Sequence, residues 1–324
     1  MKKGKSKAPA IAVIVAVIAL IGIIGSTGDD EDTSKKETDL NEIKTVETQG
    51  KEEKPETEPT AKEPETPPAP PVEAETAETT MKDLVLVDEA GVKITAKSID
   101  YSGWMGPELK LLIENTNDHS ITVQARDVSV NGYMVDHTMS ADVSAGKKAN
   151  SSVTFQNNSL ETAGISVISD IELSFHVYGE SLAVTHLDTD LINITANQSS
   201  EQDHLYEDKG VLVYDKNNIK IRALGTEDES VLGKSVYFYI HNQSDTPITV
   251  QTREDSVNGF MVSASCSIDV TPGKRAIDNV TIYQSSLDEN GIEKINEYEF
   301  YFHIYGSSLF DTIDQSDAIT LTFS

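Results

Sequence analysis

The sequence is poor in the side chains from which many exported and metal-binding proteins are built. Cys266 is the only cysteine. A lone cysteine makes no intramolecular disulfide, so the chain folds without one. No CxxC, HxH or HExxH spacing occurs, and a zinc or catalytic centre would need two or three more ligands near any one histidine. Tryptophan is equally scarce, with Trp104 alone. Positive charge is outweighed, with 26 Lys and Arg against 54 Asp and Glu and a net charge of −28. There is no basic stripe to neutralise a phosphate backbone, which argues against nucleic acid as a partner. The acidic balance suits a soluble exported protein.

Aromatic residues are absent from 26–80, a stretch holding 17 acids, 11 threonines and 7 of the chain's 11 prolines. Such a segment buries too little apolar surface to offset chain entropy and reads as a disordered linker. Before it, Lys2, Lys3, Lys5 and Lys7 precede an uncharged run from Ala8 to Gly25, and Asp29 to Asp32 follow. The run's 18 residues would span about 27 Å as a helix, close to the hydrocarbon thickness of a bilayer. Lysines before it and acids after it place the N-terminus in the cytoplasm and the remainder outside. The expectation is a signal anchor over 1–25, with membrane contact through 8–25; a cleaved secretion signal is the alternative.

Beyond the linker the chain repeats itself. Ile121 to Val135 reads ITVQARDVSVNGYMV and Ile248 to Val262 reads ITVQTREDSVNGFMV, identical at 11 of 15 positions with an offset of 127. The same offset aligns Gly146-Lys147 with Gly273-Lys274, and the segment Phe175 to Gly179 with Phe302 to Gly306. The expected organisation is a first repeat over 81–196, a polar connection over 197–209 and a second repeat over 210–324.

Each repeat reads as all-β. Leu109, Leu111 and Ile113 alternate with Lys110, Leu112 and Glu114, Leu173, Phe175 and Val177 alternate with Glu172, Ser174 and His176, and the second copy keeps both sets of apolar positions. Period-two alternation marks strands with one buried face. Asn131-Gly132 and Asn258-Gly259 lie between such runs and predict type I′ hairpins. Ser159 to Ile165 and Ser286 to Ile292 predict a short helical turn. The spacing points to two tandem Greek-key β-sandwiches, with a closed barrel as the alternative. The expected core is Ile94, Leu111, Ile113, Val123, Val153, Phe155, Leu173, Phe175 and Val177. Its counterparts are Ile221, Phe238, Ile240, Val250, Val280, Ile282, Phe300, Phe302 and Ile304.

The pattern I-E-N-x-x-D-x-x-I-T-V-Q-A-R-D-V-S-V-N-G-Y-M-V, followed by A-G-K-K-A and L-S-F-H-V-Y-G, resembles poorly characterised immunoglobulin-like sandwich domains of Gram-positive bacterial envelope proteins. The resemblance covers most of both copies and implies the fold. It carries no assigned activity, so no functional residue is transferred by it.

Candidate chemistry is sparse, and no catalytic constellation, metal site or cofactor is expected. His176 and His303 repeat on the phase opposite the core and read as exposed. Arg126 and Arg253 repeat, each before an acid, and are expected to pair with Glu172 and Glu299. Cys266 aligns with Met139 and reads as a small apolar filler. The acid runs Asp29 to Asp32 and Glu227 to Glu229 lack the spacing of a calcium loop.

Differences between the copies are more telling. The loop holding Trp104 and Met105 aligns with Val231 and Leu232, and the apolar pair is expected to fold over the sandwich end. Trp104 is oversized for that place and doubles as a candidate contact residue. Tyr237, Tyr239, Tyr301 and Tyr305 fall on the non-core phase of the second repeat. They suggest an aromatic patch for an envelope protein or glycan, or else packing between the repeats. The sequence thus predicts a membrane-anchored, non-catalytic protein with two binding or structural sandwiches. A regulatory or accessory subunit of a membrane or envelope complex is the alternative.

Overall fold

The computed structural model describes residues 79–179, 185–196, 206–230, 232–306 and 311–323. The expected anchor over 8–25 and nearly all of the linker lie outside them. Among the described residues no helix is long and apolar enough to cross a membrane.

The first repeat forms β1 (Thr79–Glu89), β2 (Val92–Asp100), β3 (Glu108–Asn115), β4 (Ile121–Val130), β5 (Tyr133–Met134), β6 (His137–Thr138), β7 (Ser140–Val143), β8 (Lys148–Phe155), helix α1 (Asn157–Thr162), β9 (Asp170–Tyr178), β10 (Thr185–Asp188) and β11 (Ile192–Thr195). The second forms β12 (Val211–Lys216), β13 (Ile219–Ser230), β14 (Gly233–Asn242), β15 (Ile248–Val257), β16 (Phe260–Met261), β17 (Ala264–Ser265), β18 (Ile268–Val270), β19 (Arg275–Tyr283), helix α2 (Gln284–Glu289), β20 (Glu297–Tyr305), β21 (Thr312–Gln315) and β22 (Ile319–Thr322). The duplication therefore holds element by element, with β1 starting two residues inside the expected linker.

In the first repeat one sheet runs β1-β2-β3-β8-β6. The other runs β10-β9-β4-β5, with β7 on β4 and β11 on β9. Strands β3 and β8 are neighbours in space although β4 to β7 intervene in sequence, so the chain crosses between sheets and returns. The second repeat does the same with β12-β13-β14-β19 and β16-β15-β20-β21. Alternation drives this layering: every second residue of β3 is buried. Every core position expected in either repeat is at most 1% exposed.

The hairpins form as their residues dictate. Asn131 and Gly132 have φ of 50° and 82°, and Asn258 and Gly259 have 51° and 83°; Asn and Gly tolerate that left-handed region best. The asparagine side chain does more than turn the chain. Asn131 Nδ2 donates to Val167 O at 2.7 Å, while its Oδ1 accepts from Ser169 N at 2.9 Å and Asp170 N at 3.1 Å. Asn258 repeats this with Lys294 O, Asn296 N and Glu297 N. A second duplicated pair, Asn115 and Asn242, is fully buried at the other end of the sandwich. Each donates through Nδ2 to one loop carbonyl and one strand-end carbonyl, His119 O and Val143 O in one case, Thr246 O and Val270 O in the other. Such buried amides are stable because their donors and acceptors are satisfied.

The duplicated Arg-acid pairs have a backbone origin. Asp127 and Glu254 both sit at φ 54°, where the register of β4 on β9 and of β15 on β20 shifts. Each acid is thus the extra residue of a β-bulge. The expected arginine pairing with Glu172 and Glu299 is replaced by other contacts. Arg253 donates to Gln251 Oε1 and to Thr252 O, and Glu172 pairs with Lys274.

Gly106 and Gly233 show why one glycine is indispensable where another is merely preferred. A Cβ on Gly106 would lie 1.8 Å from Phe155 O, whereas one on Gly132 would meet nothing within 4 Å. Replacement of Gly132 by alanine should therefore cost about 1 kcal/mol, the price of a left-handed φ alone. Gly106→Ala should cost more than about 3 kcal/mol or abolish folding, as read by chemical denaturation of the two variants.

Candidate functional site

The two sandwiches meet through one hairpin. β5 lies parallel to β19 with Tyr133 opposite Arg275, and Arg275 N donates to Gly132 O at 2.9 Å. The first repeat's second sheet and the second repeat's first sheet thereby become one 11-stranded sheet. Side chains interlock across the joint. Tyr239 and Leu224, from the second repeat, belong to the first repeat's core, while Met134 packs against the second core. Arg275 Nε donates to Tyr239 Oη at 3.1 Å, and Lys274 Nζ lies 3.0 Å from Glu172 Oε1. Glu207, at the end of the inter-repeat connection, lies 3.8 Å from both Arg275 Nη2 and His241 Nδ1. An aromatic side chain buried this fully contributes about 2 kcal/mol, and Tyr133 and Tyr239 are both completely covered.

This geometry resolves the tyrosines. Tyr237 and Tyr239 lie on β14 and face the first repeat; Tyr237 packs against the first core and donates to Glu227 Oε2 at 2.7 Å. Burial, then the Glu227 bond, raises the Tyr237 hydroxyl to about 12. Tyr301 and Tyr305 lie on β20, in the other sheet, whose outer face points the opposite way. Tyr301 is half-buried, and Tyr305 is buried beside His303 with ring centroids 5.4 Å apart. The four therefore form no single patch, and Tyr239 is withdrawn from any external contact. Packing between the repeats accounts for Tyr237 and Tyr239.

Trp104 and Met105 also differ from expectation. The loop backbone is pinned to the start of α1, Asn157 N donating to Met105 O at 2.9 Å and Asn157 Nδ2 to Trp104 O at 3.4 Å. The indole nevertheless stands outside the sandwich, 89% exposed, and Met105 is partly exposed. In the second copy, β13 and β14 extend the hairpin to Ser230 and Gly233, and Leu232 projects at its tip, 71% exposed. Trp104 and Leu232 do not fold over the end, because Gly106 and Gly233 bring the backbone itself against β8 and β19 and leave no room beneath; Val231 lies outside the described residues.

Leu232 is not alone. Phe260 is 50% exposed, Met261 64% and Tyr283 41%. All four lie at one end of the second sandwich, where three segments meet: Gln284 N donates to Leu232 O and Tyr283 N to Ser263 O, both at 3.0 Å. Large apolar side chains are thus gathered in one exposed place. Alternation along single strands hides it, because it is assembled from turns. The signal was in the duplication: Phe260-Met261 aligns with Tyr133-Met134, which the first repeat buries in the joint.

The remaining candidates are placed as follows. His176 is buried rather than exposed, covered by β10, whose Asp188 meets Nδ1. His303 is partly exposed and lies 3.1 Å from Thr312 Oγ1. Cys266 packs against the second core as expected, and burial pushes its thiol up to about 12. Among the described residues no group of three or more His, Cys, Asp or Glu is placed to hold a metal ion.

A cleft of about 570 Å³ opens beside the joint, lined by Asp136 and His137 from one repeat and by Tyr237, Asp269 and Asp278 from the other. Asp278 stands exposed at the mouth of this cleft; the surrounding protein, then the charges of Asp136 and Asp269, push its carboxyl upward against the lowering effect of the Asn279 N–H.

No protein-family model matches the chain, and no curated protein sequence matches it. Solved structures similar to it include a YadV chaperone, at 11% identity over 64% of this chain and 90% of that one, with a TM-score of 0.22. A Salmonella enterica SafA pilin in complex with the SafB chaperone matches at 10% identity over 67% and 89%, with a TM-score of 0.19. An Amycolatopsis orientalis exo-chitosanase matches at 12% identity over 69% and 26%, with a TM-score of 0.23. At such scores the likeness carries no argument about this chain.

The raised Asp278 sets a pH dependence. Folding favours its protonated form, so its contribution to stability is fully present below about pH 4 and is lost as pH rises through about 6. Asp278→Asn mimics the protonated carboxyl. Because the side chain is exposed and solvent screens its charge, the variant's melting temperature should exceed that of the parent only slightly at pH 7.5, and the difference should vanish near pH 4.

Proposed function

We infer that this chain works by contact rather than catalysis, as a two-domain binding or structural protein presented outside a membrane. The observation that carries this is the exposed apolar end of the second sandwich, Leu232, Phe260, Met261 and Tyr283. Trp104 adds a second, separate anchor at the corresponding end of the first. Both stand on backbone held in place by hydrogen bonds, so little ordering entropy is lost when they are covered. The strand order, with β8 beside β3 and β9 beside β4, supports two tandem immunoglobulin-like Greek keys. Residues 8–25 would tether the chain in the membrane and 26–80 would hold the sandwiches away from it. The partner class favoured by such aliphatic and aromatic side chains is an envelope protein rather than a glycan.

A photo-cross-linking amino acid at position 104 or 260 of the full chain, in intact cells, tests this reading. Discrete covalent adducts are expected from both sites and not from Asp142, which is exposed on the first repeat. Adducts equally abundant at Asp142, or none from either site, would overturn it.

A further inference from the structure

We propose that the exposed end of the second repeat docks on the open edge of β8 in a second copy of this chain, joining copies head to tail. This rests on the reading that the protein works by contact, and it names the partner.

The joint within the chain is the template. Its inserting half is the hairpin Asn131-Gly132-Tyr133-Met134 together with Glu172, and its receiving half is the β19 edge at Lys274-Arg275. The second repeat keeps the inserting half: Asn258-Gly259 has the same dihedral angles, and Ser256 pairs with Met261 and Val257 with Phe260, as Ser129 pairs with Met134 and Val130 with Tyr133. Glu299 sits opposite Ser256 as Glu172 sits opposite Ser129, and it is exposed. In the described structure nothing covers this hairpin.

The first repeat keeps the receiving half. Strand β8 is paired by β3 on one side and, at its far end only, by β6 on the other. β19 is paired likewise by β14 and β17, and its near end takes β5. Among the described residues no strand takes that place beside Lys148. The phase of the edge is also the same: Asn115 N donates to Lys147 O as Asn242 N donates to Lys274 O. Lys148 N therefore faces outward as Arg275 N does. Lys147 and Lys148 are exposed and stand where Lys274 and Arg275 stand. A second copy thus supplies Lys147 for Glu299, and Lys148 N for Gly259 O.

Charge favours this pairing over a symmetric one. The inserting end carries Glu254, Glu297 and Glu299; in the receiving sheet Lys97, Lys110 and Lys148 are already paired with Asp83, with Asp100 and Glu108, and with Glu114, which leaves Lys147 as the cation at the edge for Glu299. Two inserting ends repel each other, whereas the receiving sheet is charge-balanced and offers its edge lysine to an acidic end. The floor is less apolar than in the joint, with Leu112, Lys110, Lys97 and Asn150 in the places of Tyr239, Tyr237, Leu224 and Ile277. Lysine stems cover an aromatic face adequately, but the contact is weaker than the internal one and depends on the concentration that a shared membrane supplies. Because the two surfaces differ, the contact is open-ended, generating rows rather than closed dimers.

The test uses two differently tagged full-length chains in one membrane, one carrying Phe260→Cys and the other Lys148→Cys, both with Cys266→Ser. These positions correspond to the register pair Tyr133 and Arg275. A short bifunctional thiol reagent should give the mixed adduct at least about tenfold above either like-with-like adduct, as a heterologous contact requires. Glu299→Lys should reduce that yield several-fold, and Lys147→Glu in the receiving chain should restore it. Like-with-like adducts in equal yield, or no mixed adduct, would overturn the proposal. If position 260 still yields photo-adducts with other proteins, the contact function stands and self-association alone falls; if it yields none, both fall.

Discussion

The arrangement of this molecule depends on the docking of one two-residue strand, Tyr133-Met134, against the edge at Arg275. Its backbone bond merges two sheets, its tyrosine closes the first core and its methionine reaches the second. The cleft around Asp278, the burial of Tyr239 and the placing of the distal apolar end all follow from it. The hairpin can reach its socket only because Asn131 and Gly132 accept a left-handed backbone and because the Asn131 amide ties the turn to the strand entry at Asp170.

Much of the architecture was legible in the sequence, for a physical reason. Period-two alternation and Asn-Gly turns are local signals, and a strand that buries Leu109, Leu111 and Ile113 writes them into the chain directly. The duplication doubled each signal, so the core positions were recovered in both copies. Bulges are less legible: the repeated Arg-acid dipeptides point in the sequence to arginine pairing with Glu172 and Glu299, yet Asp127 and Glu254 repeat because a backbone irregularity repeats.

The exposed apolar side chains are legible in the sequence only in part. Trp104 is the odd residue of its loop when the two copies are aligned, but its exposure depends on how closely Gly106 approaches Phe155, which is tertiary information. The four tyrosines shared a phase but not a sheet, and phase alone does not say which way a face looks. Phe260 and Met261 do not stand out in the sequence, because they match Tyr133 and Met134. Identical hairpins met different surroundings, and only the assembled sheet shows that one is covered and the other is not.

The crossing of side chains between the two cores has a consequence for how the molecule comes apart. Unfolding the second sandwich removes Tyr239 and Leu224 from the first core, while unfolding the first removes only Met134 from the second. The coupling is reciprocal in free energy, since the same contacts are lost either way, but the damage left behind is not. A first sandwich standing alone would carry a cavity where a tyrosine had been; a second standing alone would carry an exposed aromatic and a small gap. The melting of the pair is therefore a linked process, in which the second sandwich acts as a lid on the hydrophobic interior of the first.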